Sequence, residues 1–167
     1  MNRGDNMRAN EYYMPTDWRI KEDIREVYEV CSNFKDYHRW WPEVYLDIQV
    51  AGTDKETGNE VYALLTRGKL PYKLRWQSCK TAENAPHSIS LKASGDLVGH
   101  GTWKFEQDGE YVNVRFDWYV NMEKPLLKWL SPIMKPMFRS NHYWAMGKGF
   151  ESLKRELERR RRAKAAI

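Results

Sequence analysis

Along the last third of the chain the apolar positions recur with a helical period. Phe138, His142, Met146, Gly149, Leu153 and Leu157 share one stripe of a wheel drawn at about 100° per residue, while Lys148, Glu151, Lys154, Arg155 and Glu158 fall largely elsewhere. The pattern predicts one long helix from Pro132 to Arg162 with that stripe buried. Ser131 is the expected N-cap, Pro132 suits the first turn, and Pro136 is expected to bend the start by removing a backbone hydrogen bond. Gly147 and Gly149 each cost a helix about 1 kcal/mol relative to alanine. Close approach of a sheet, or room for a ligand, would explain them.

Upstream the period changes twice. Residues 12–20 read as a first strand, with Pro15 suited to a sheet edge. Ile24, Val27, Tyr28 and Cys31 place a helix within Lys21 to Asn33, and a second short helix covers Phe34 to Arg39 before Trp40-Trp41-Pro42 ends it. From Val44 the alternation is two-residue. Strands are expected at 44–50, 60–67, 72–81, 88–93, 101–106 and 112–121, with turns at Thr53–Asn59, Glu83–His87 and Asp108-Gly109, and a loop at Ser94–Gly99. In the later strands Tyr72, Leu74, Trp76 and Ser78 share a face. So do Trp103 and Phe105, and Val112, Val114, Phe116, Trp118 and Val120. Asp117, Glu106, Arg75 and Arg115 alternate onto the opposite, wet side. Strands joined by short turns pair antiparallel, and the long helix is the only element large enough to cover their apolar face. The class is therefore α+β, a curved antiparallel sheet of about six to seven strands around a C-terminal helix, with two short helices after the first strand.

At 167 residues the chain fits one domain over 1–167, with residues 1–10 expected to be flexible. Eight tryptophans and ten tyrosines favour an aromatic-lined core or pocket. No apolar run of about 18 residues offers a membrane span, and the polar amino end lacks a signal region, so a cytoplasmic setting is expected. Cys31 and Cys79 lie in different elements and read as reduced structural thiols, and the four scattered histidines speak against a metal site. No cofactor fingerprint is present: Gly99-His100-Gly101 enters a strand instead of opening a helix. Lys154 to Ile167 carries seven bases and two acids, a balance equal to the whole chain's +5. This basic tail, 159–167 above all, is either a solvated helix end or a contact for anionic membrane. Nucleic acid is disfavoured, since no nucleic-acid-binding signature accompanies it.

The order of elements, with Asp36-Tyr37, Trp40-Trp41-Pro42, the run Ser94 to Trp103, Phe116 to Val120, Lys124-Pro125, and Pro136-Met137-Phe138 to Asn141-His142, resembles the START-like or SRPBCC superfamily over residues 12–160. That superfamily includes polyketide cyclase/dehydrase-type proteins and lipid-transfer domains. The resemblance implies a helix-grip fold with a deep cavity between the concave sheet and the helix, holding a hydrophobic small molecule. Strand parity then nominates Trp76, Ser78, Trp103, Phe105, Phe116 and Trp118 from the sheet, and Phe138, His142 and Met146 from the helix, as ligand-binding residues. Asn141 and Asp96 would stand at the rim.

Three functions follow. The first is a carrier or sensor of a lipid, polyketide or aromatic molecule. The second is a cyclase/dehydrase-like enzyme with His142 as acid/base. The third is an interaction module working through the basic tail. A lone histidine supports either a catalytic role or a plain core hydrogen bond, and no Ser-His-Asp order or phosphate loop accompanies it. The carrier is therefore preferred.

Overall fold

A computed structural model of the chain describes residues 11–167, apart from the side chains of 126–128 and 130–132. The expected flexibility of residues 1–10 lies outside the described residues. The elements follow in the order β1 (Glu11–Lys21), α1 (Ile24–Ser32), a 3₁₀ turn (Phe34–Asp36), α2 (Tyr37–Trp40), β2 (Tyr45–Thr53), β3 (Glu60–Arg67), β4 (Lys73–Asn84), β5 (Ser88–Gly95), β6 (Leu97–Asp108), β7 (Tyr111–Met122) and α3 (Pro125–Ala165). All seven strands form one antiparallel sheet in the order β1-β7-β6-β5-β4-β3-β2. Only the first strand is out of sequence, paired along its whole length with the last.

Local chemistry explains most boundaries. Asp23 caps α1 by accepting from the Arg25 amide at 2.8 Å, so this helix starts at Ile24, the first residue of the apolar spacing. Asp108-Gly109 does turn the chain between β6 and β7, with Gly109 at φ +59°. The expected loop at Ser94–Gly99 is a tight reversal around Asp96 instead, so β6 begins at Leu97. The Asp96 carboxylate accepts the Arg75 amide at 2.8 Å and so fixes the turn to β4. The long helix begins at Pro125, seven residues before the expected start. Pro125 occupies the first turn, where its missing N–H leaves no partner unsatisfied, and Ser131 is an interior residue and not the cap. Lys124 makes no side-chain cap, so the start at this end is marked by the first-turn proline alone and not by a capping side chain.

One face of the sheet and the inner stripe of α3 enclose a shared core that includes Val27, Val30, Cys31, Ile89, Val112, Val114, Leu153 and Leu157. Across the sheet runs a wall of rings: Trp18 to Trp103 at 5.3 Å between centroids, Trp103 to Phe116 at 4.3 Å, Phe116 to Trp118 at 5.6 Å and Trp118 to Trp76 at 5.9 Å. Gly101 makes room for it, since a β-carbon there would come within 2.9 Å of both Phe116 and Trp118. Such ring pairs add about 0.5–1.5 kcal/mol each beyond the area they bury.

The outer face is less wet than alternation implied. Asp117 is buried there and accepts from Tyr13 Oη at 2.9 Å, Arg115 Nε at 3.0 Å and Lys104 Nζ at 3.1 Å. Although burial alone would raise its pKa, these donors hold its carboxyl below the usual range. Long side chains on neighbouring strands fold over it, which a two-residue period cannot register.

The tail also departs from expectation. Its cations are matched by acids of α1 and of α3 itself: Arg160 faces Glu29 at 3.3 Å, Arg161 faces Glu22 at 2.8 Å, Arg162 faces Glu158 at 2.8 Å, and Lys164 pairs with Glu26. Residues 159–165 continue the helix. A tail laid along an acidic helix is not a free basic patch, and this pairing favours the helix-end reading over a tail-mediated interaction module.

Candidate functional site

The two halves of α3 meet the sheet differently. Toward the C-terminus Leu153 and Leu157 are fully buried in the shared core, and α1 packs alongside. Toward the N-terminus the helix stands off the sheet and roofs a cavity of about 140 Å³. One ordered water needs roughly 10–15 Å³ measured in the same way, so the space admits far more than a single water.

Gly149 marks the border. A β-carbon at that position would lie 2.3 Å from the Trp41 ring, so glycine lets the indole slide beneath the helix. Gly147, by contrast, has open space around it, and no packing explains it.

Eight of the nine nominated residues line the hollow: Trp76, Ser78, Trp103, Phe116, Trp118, Phe138, His142 and Met146. Phe105 does not. Its ring lies one residue pair further along β6, edge-on to Tyr28 of α1 at 5.6 Å, where α1 already fills the space. Asn141 sits at the rim as expected, its Oδ1 accepting the Leu70 amide at 3.0 Å. Gly68 permits this, because any β-carbon there would overlap the Asn141 amide. Asp96 is drawn away to the Arg75 amide and to Lys124 at 3.6 Å, and does not reach the cavity.

Parity alone missed the contribution of β1, the α2 region and β2. Tyr12, Tyr37, Trp41 and Tyr45 all line the space, as does Tyr72. Tyr72 was readable, since it shares a face with Leu74 and Trp76. Trp41 and Tyr45 were not, because they enter from a helix end and from a strand whose register shifts between Tyr45 and Asp47.

The polar inventory of this lining is small. Trp76 Nε1 donates to Thr66 Oγ1 at 2.9 Å and is satisfied. Among the described residues of the lining, three buried polar atoms lack a partner: Trp41 Nε1, Tyr72 Oη and His142 Nε2. Leaving such an atom unpaired typically costs about 1–3 kcal/mol, so each is a place where a ligand or water gains by binding. Arg67 is the only formally charged side chain among the described lining residues, and no carboxylate joins it.

Burial, helped by the positive charge of Arg139, pushes the His142 pKa down to about 4 from 6.5. The imidazole is therefore neutral at pH 7. The unfolded chain takes up this proton as pH falls through 6.5 and the folded chain resists until about 4, so His142 erodes stability across that window. At pH 5 the loss is about 2 kcal/mol. Urea midpoints at pH 7 and pH 5 are expected to show that extra loss in the native protein and not in His142→Gln. Equal losses in both proteins would mean the imidazole is solvated.

The family model described as polyketide cyclase / dehydrase and lipid transport matches residues 19–158. The chain belongs to this family. Several solved structures share the fold. The crystal structure of the Zhui aromatase/cyclase from Streptomyces sp. R1128 superposes with a TM-score of 0.72 at 16% identity, covering 92% of this chain and 98% of that one. A START superfamily protein from Mycobacterium smegmatis gives 0.69 at 10% identity, covering 88% and 97%. A norcoclaurine synthase point mutant from Thalictrum flavum, in complex with a transition-state analogue, gives 0.59 at 9% identity, covering 90% and 96%. At these identities the likeness concerns the fold alone. Among curated proteins no match was found.

Proposed function

We propose that this polyketide cyclase / dehydrase and lipid transport family member binds a hydrophobic small molecule between its sheet and α3. A ligand with a flat apolar body and a few hydrogen-bonding groups fits best. The observation that carries this reading is the pairing of an aromatic lining with three unpartnered polar atoms on Trp41, Tyr72 and His142. An apolar body suits the rings, and a few hydroxyl or carbonyl groups would satisfy the orphans.

Catalysis by His142 is the weaker alternative. A base with a pKa of about 4 accepts protons poorly near neutral pH, and no carboxylate of the described lining stands by to raise it. A carrier requires only that the imidazole accept or donate a hydrogen bond.

Ala145 supplies the test, since it lies on the helical roof and a larger side chain there projects into the void. Titration with 8-anilinonaphthalene-1-sulfonate is expected to give saturable binding to the native protein, weakened about tenfold or more in Ala145→Phe while the fold is retained. Undiminished probe binding in a folded Ala145→Phe protein would sink the proposal. Native mass spectrometry of protein taken from cells is expected to show a co-purified apolar molecule, lost in the same variant.

A further inference from the structure

The outward side of α3, above the cavity, is apolar where a surface helix should be polar. Trp129 is 85% exposed and Ile133 84%, and Met137 and Tyr143 are exposed on the same side. These four residues, spaced by about one turn each until Tyr143, run along about 21 Å of helix at 1.5 Å per residue. Single exposed apolar residues need no explanation, but an aligned row beginning with tryptophan does.

Charge narrows the choice of partner. From Lys124 to Phe150 the sequence holds five bases (Lys124, Lys128, Lys135, Arg139, Lys148) and no acid. Lys135 and Arg139 lie on one flank of the row, where both approach the Tyr12 ring, and Lys148 lies near Trp144 on the other. Lys124 is matched by Asp96 at 3.6 Å, but the segment itself holds no acid. A second copy docked through the same face would bring two such cationic segments together, which disfavours a symmetric dimer. An anionic surface with an apolar interior matches both features. Tryptophan favours the boundary between headgroups and acyl chains, and each nearby lysine or arginine strengthens attraction to anionic lipid.

We propose that the N-terminal half of α3 is a peripheral docking surface for anionic lipid bilayers. Trp129, Ile133 and Met137 enter the interface and Lys135 and Lys148 supply the flanking positive charge, while Arg139 is tied to the Tyr13 carbonyl at 3.0 Å. No helix of the described residues is long and apolar enough to cross a membrane, so the contact is one of surface attachment. The same helical segment contributes Phe138, Asn141, His142 and Ala145 to the cavity, so docking sets the roof of the cavity against the lipid. The inference rests on the outer surface and stands apart from what the cavity holds.

Co-sedimentation of the full chain with vesicles tests it. Vesicles of phosphatidylcholine with phosphatidylglycerol are expected to bind the native protein, while phosphatidylcholine alone binds poorly. Trp129→Ser/Ile133→Ser is expected to weaken binding by about tenfold or more at unchanged thermal stability, since both side chains are exposed. Lys135→Glu/Lys148→Glu should weaken it similarly and flatten the salt dependence. Arg162→Gln/Lys164→Gln, at the ion-paired tail, should leave it unchanged, as should Ala145→Phe. Failure of the native protein to bind anionic vesicles overturns the proposal, as does retained binding by Trp129→Ser/Ile133→Ser. A native dimer that this variant dissociates would show instead that a second copy covers the row.

Discussion

Gly149→Ala is expected to destabilise the protein by about 2 kcal/mol, and Gly147→Ala, two residues away on the same helix, to stabilise it by about 1 kcal/mol. Both changes bring the same gain in helix propensity. They differ in what the new methyl group meets. At 149 it would lie 2.3, 2.6 and 2.7 Å from three atoms of the Trp41 indole. That ring has little freedom to retreat, because Trp40 at 5.5 Å, Tyr45 at 5.0 Å and Tyr37 at 5.9 Å surround it. At 147 nothing lies within contact distance. Denaturant midpoints at constant m separate the two outcomes. Shifts of the same sign would mean that Trp41 moves freely under the helix, and the border between hollow and solid core would lose its basis.

Removing the Glu156 carboxylate is expected to have a comparable effect. Its side chain is only 3% exposed, and it accepts from Arg39 at 2.7 Å, Arg159 at 2.8 Å and Arg160 at 3.1 Å. The hydrogen bonds from Arg159, Arg39 and Arg160 outweigh burial and hold its pKa far below the ordinary 4.5. Arg39 belongs to α2, whose Tyr37 helps line the cavity, so this cluster ties the solid end of α3 to that wall of the site. Glu156→Ala is expected to lose about 2–3 kcal/mol at pH 7, since three guanidinium groups would stay gathered without the buried carboxylate between them, Arg39 keeping only Asp36 and Arg160 only Glu29. The native carboxylate contributes fully above about pH 4.5, and its contribution is lost as pH falls through its lowered pKa. The acid limb of stability should therefore be shallower in Glu156→Ala than in the native protein. A loss under about 0.5 kcal/mol would rank the cluster with ordinary surface ion pairs.

The two residues illustrate different kinds of legibility. The sequence flagged Gly149 as anomalous on the buried stripe but could not say whether a sheet, a ring or a ligand came close. Trp41 answers that, and it arrives from a helix end more than a hundred positions earlier. Glu156 drew no attention, because a glutamate among arginines at the end of a helix reads as one of many solvated charges. Only the approach of Arg39 from α2 distinguishes it.

Among cavity residues the same division holds. Trp76, Ser78, Trp103, Phe116 and Trp118 followed from strand parity, and Phe138, His142 and Met146 from the helical wheel, because both periods are properties of the local backbone. Phe105 obeyed the same parity and still fell outside, since where along a strand the hollow ends depends on where α1 has docked. Tyr12, Tyr37, Trp41 and Tyr45 belong to elements whose approach to the sheet no local period encodes.

Amino-acid order alone therefore determined the α+β class, the antiparallel pairing, the inward faces and the family, since each depends on periodicity or motif over short stretches. Tertiary structure alone decided that α3 is solid-packed at one end and hollow beneath the other. It also left His142 Nε2 without a partner, neutralised the tail against α1, and exposed the apolar row from Trp129 to Tyr143. Those outcomes depend on which surfaces meet across a hundred residues of chain, and contacts of that range are set by packing and charge together rather than by any local pattern.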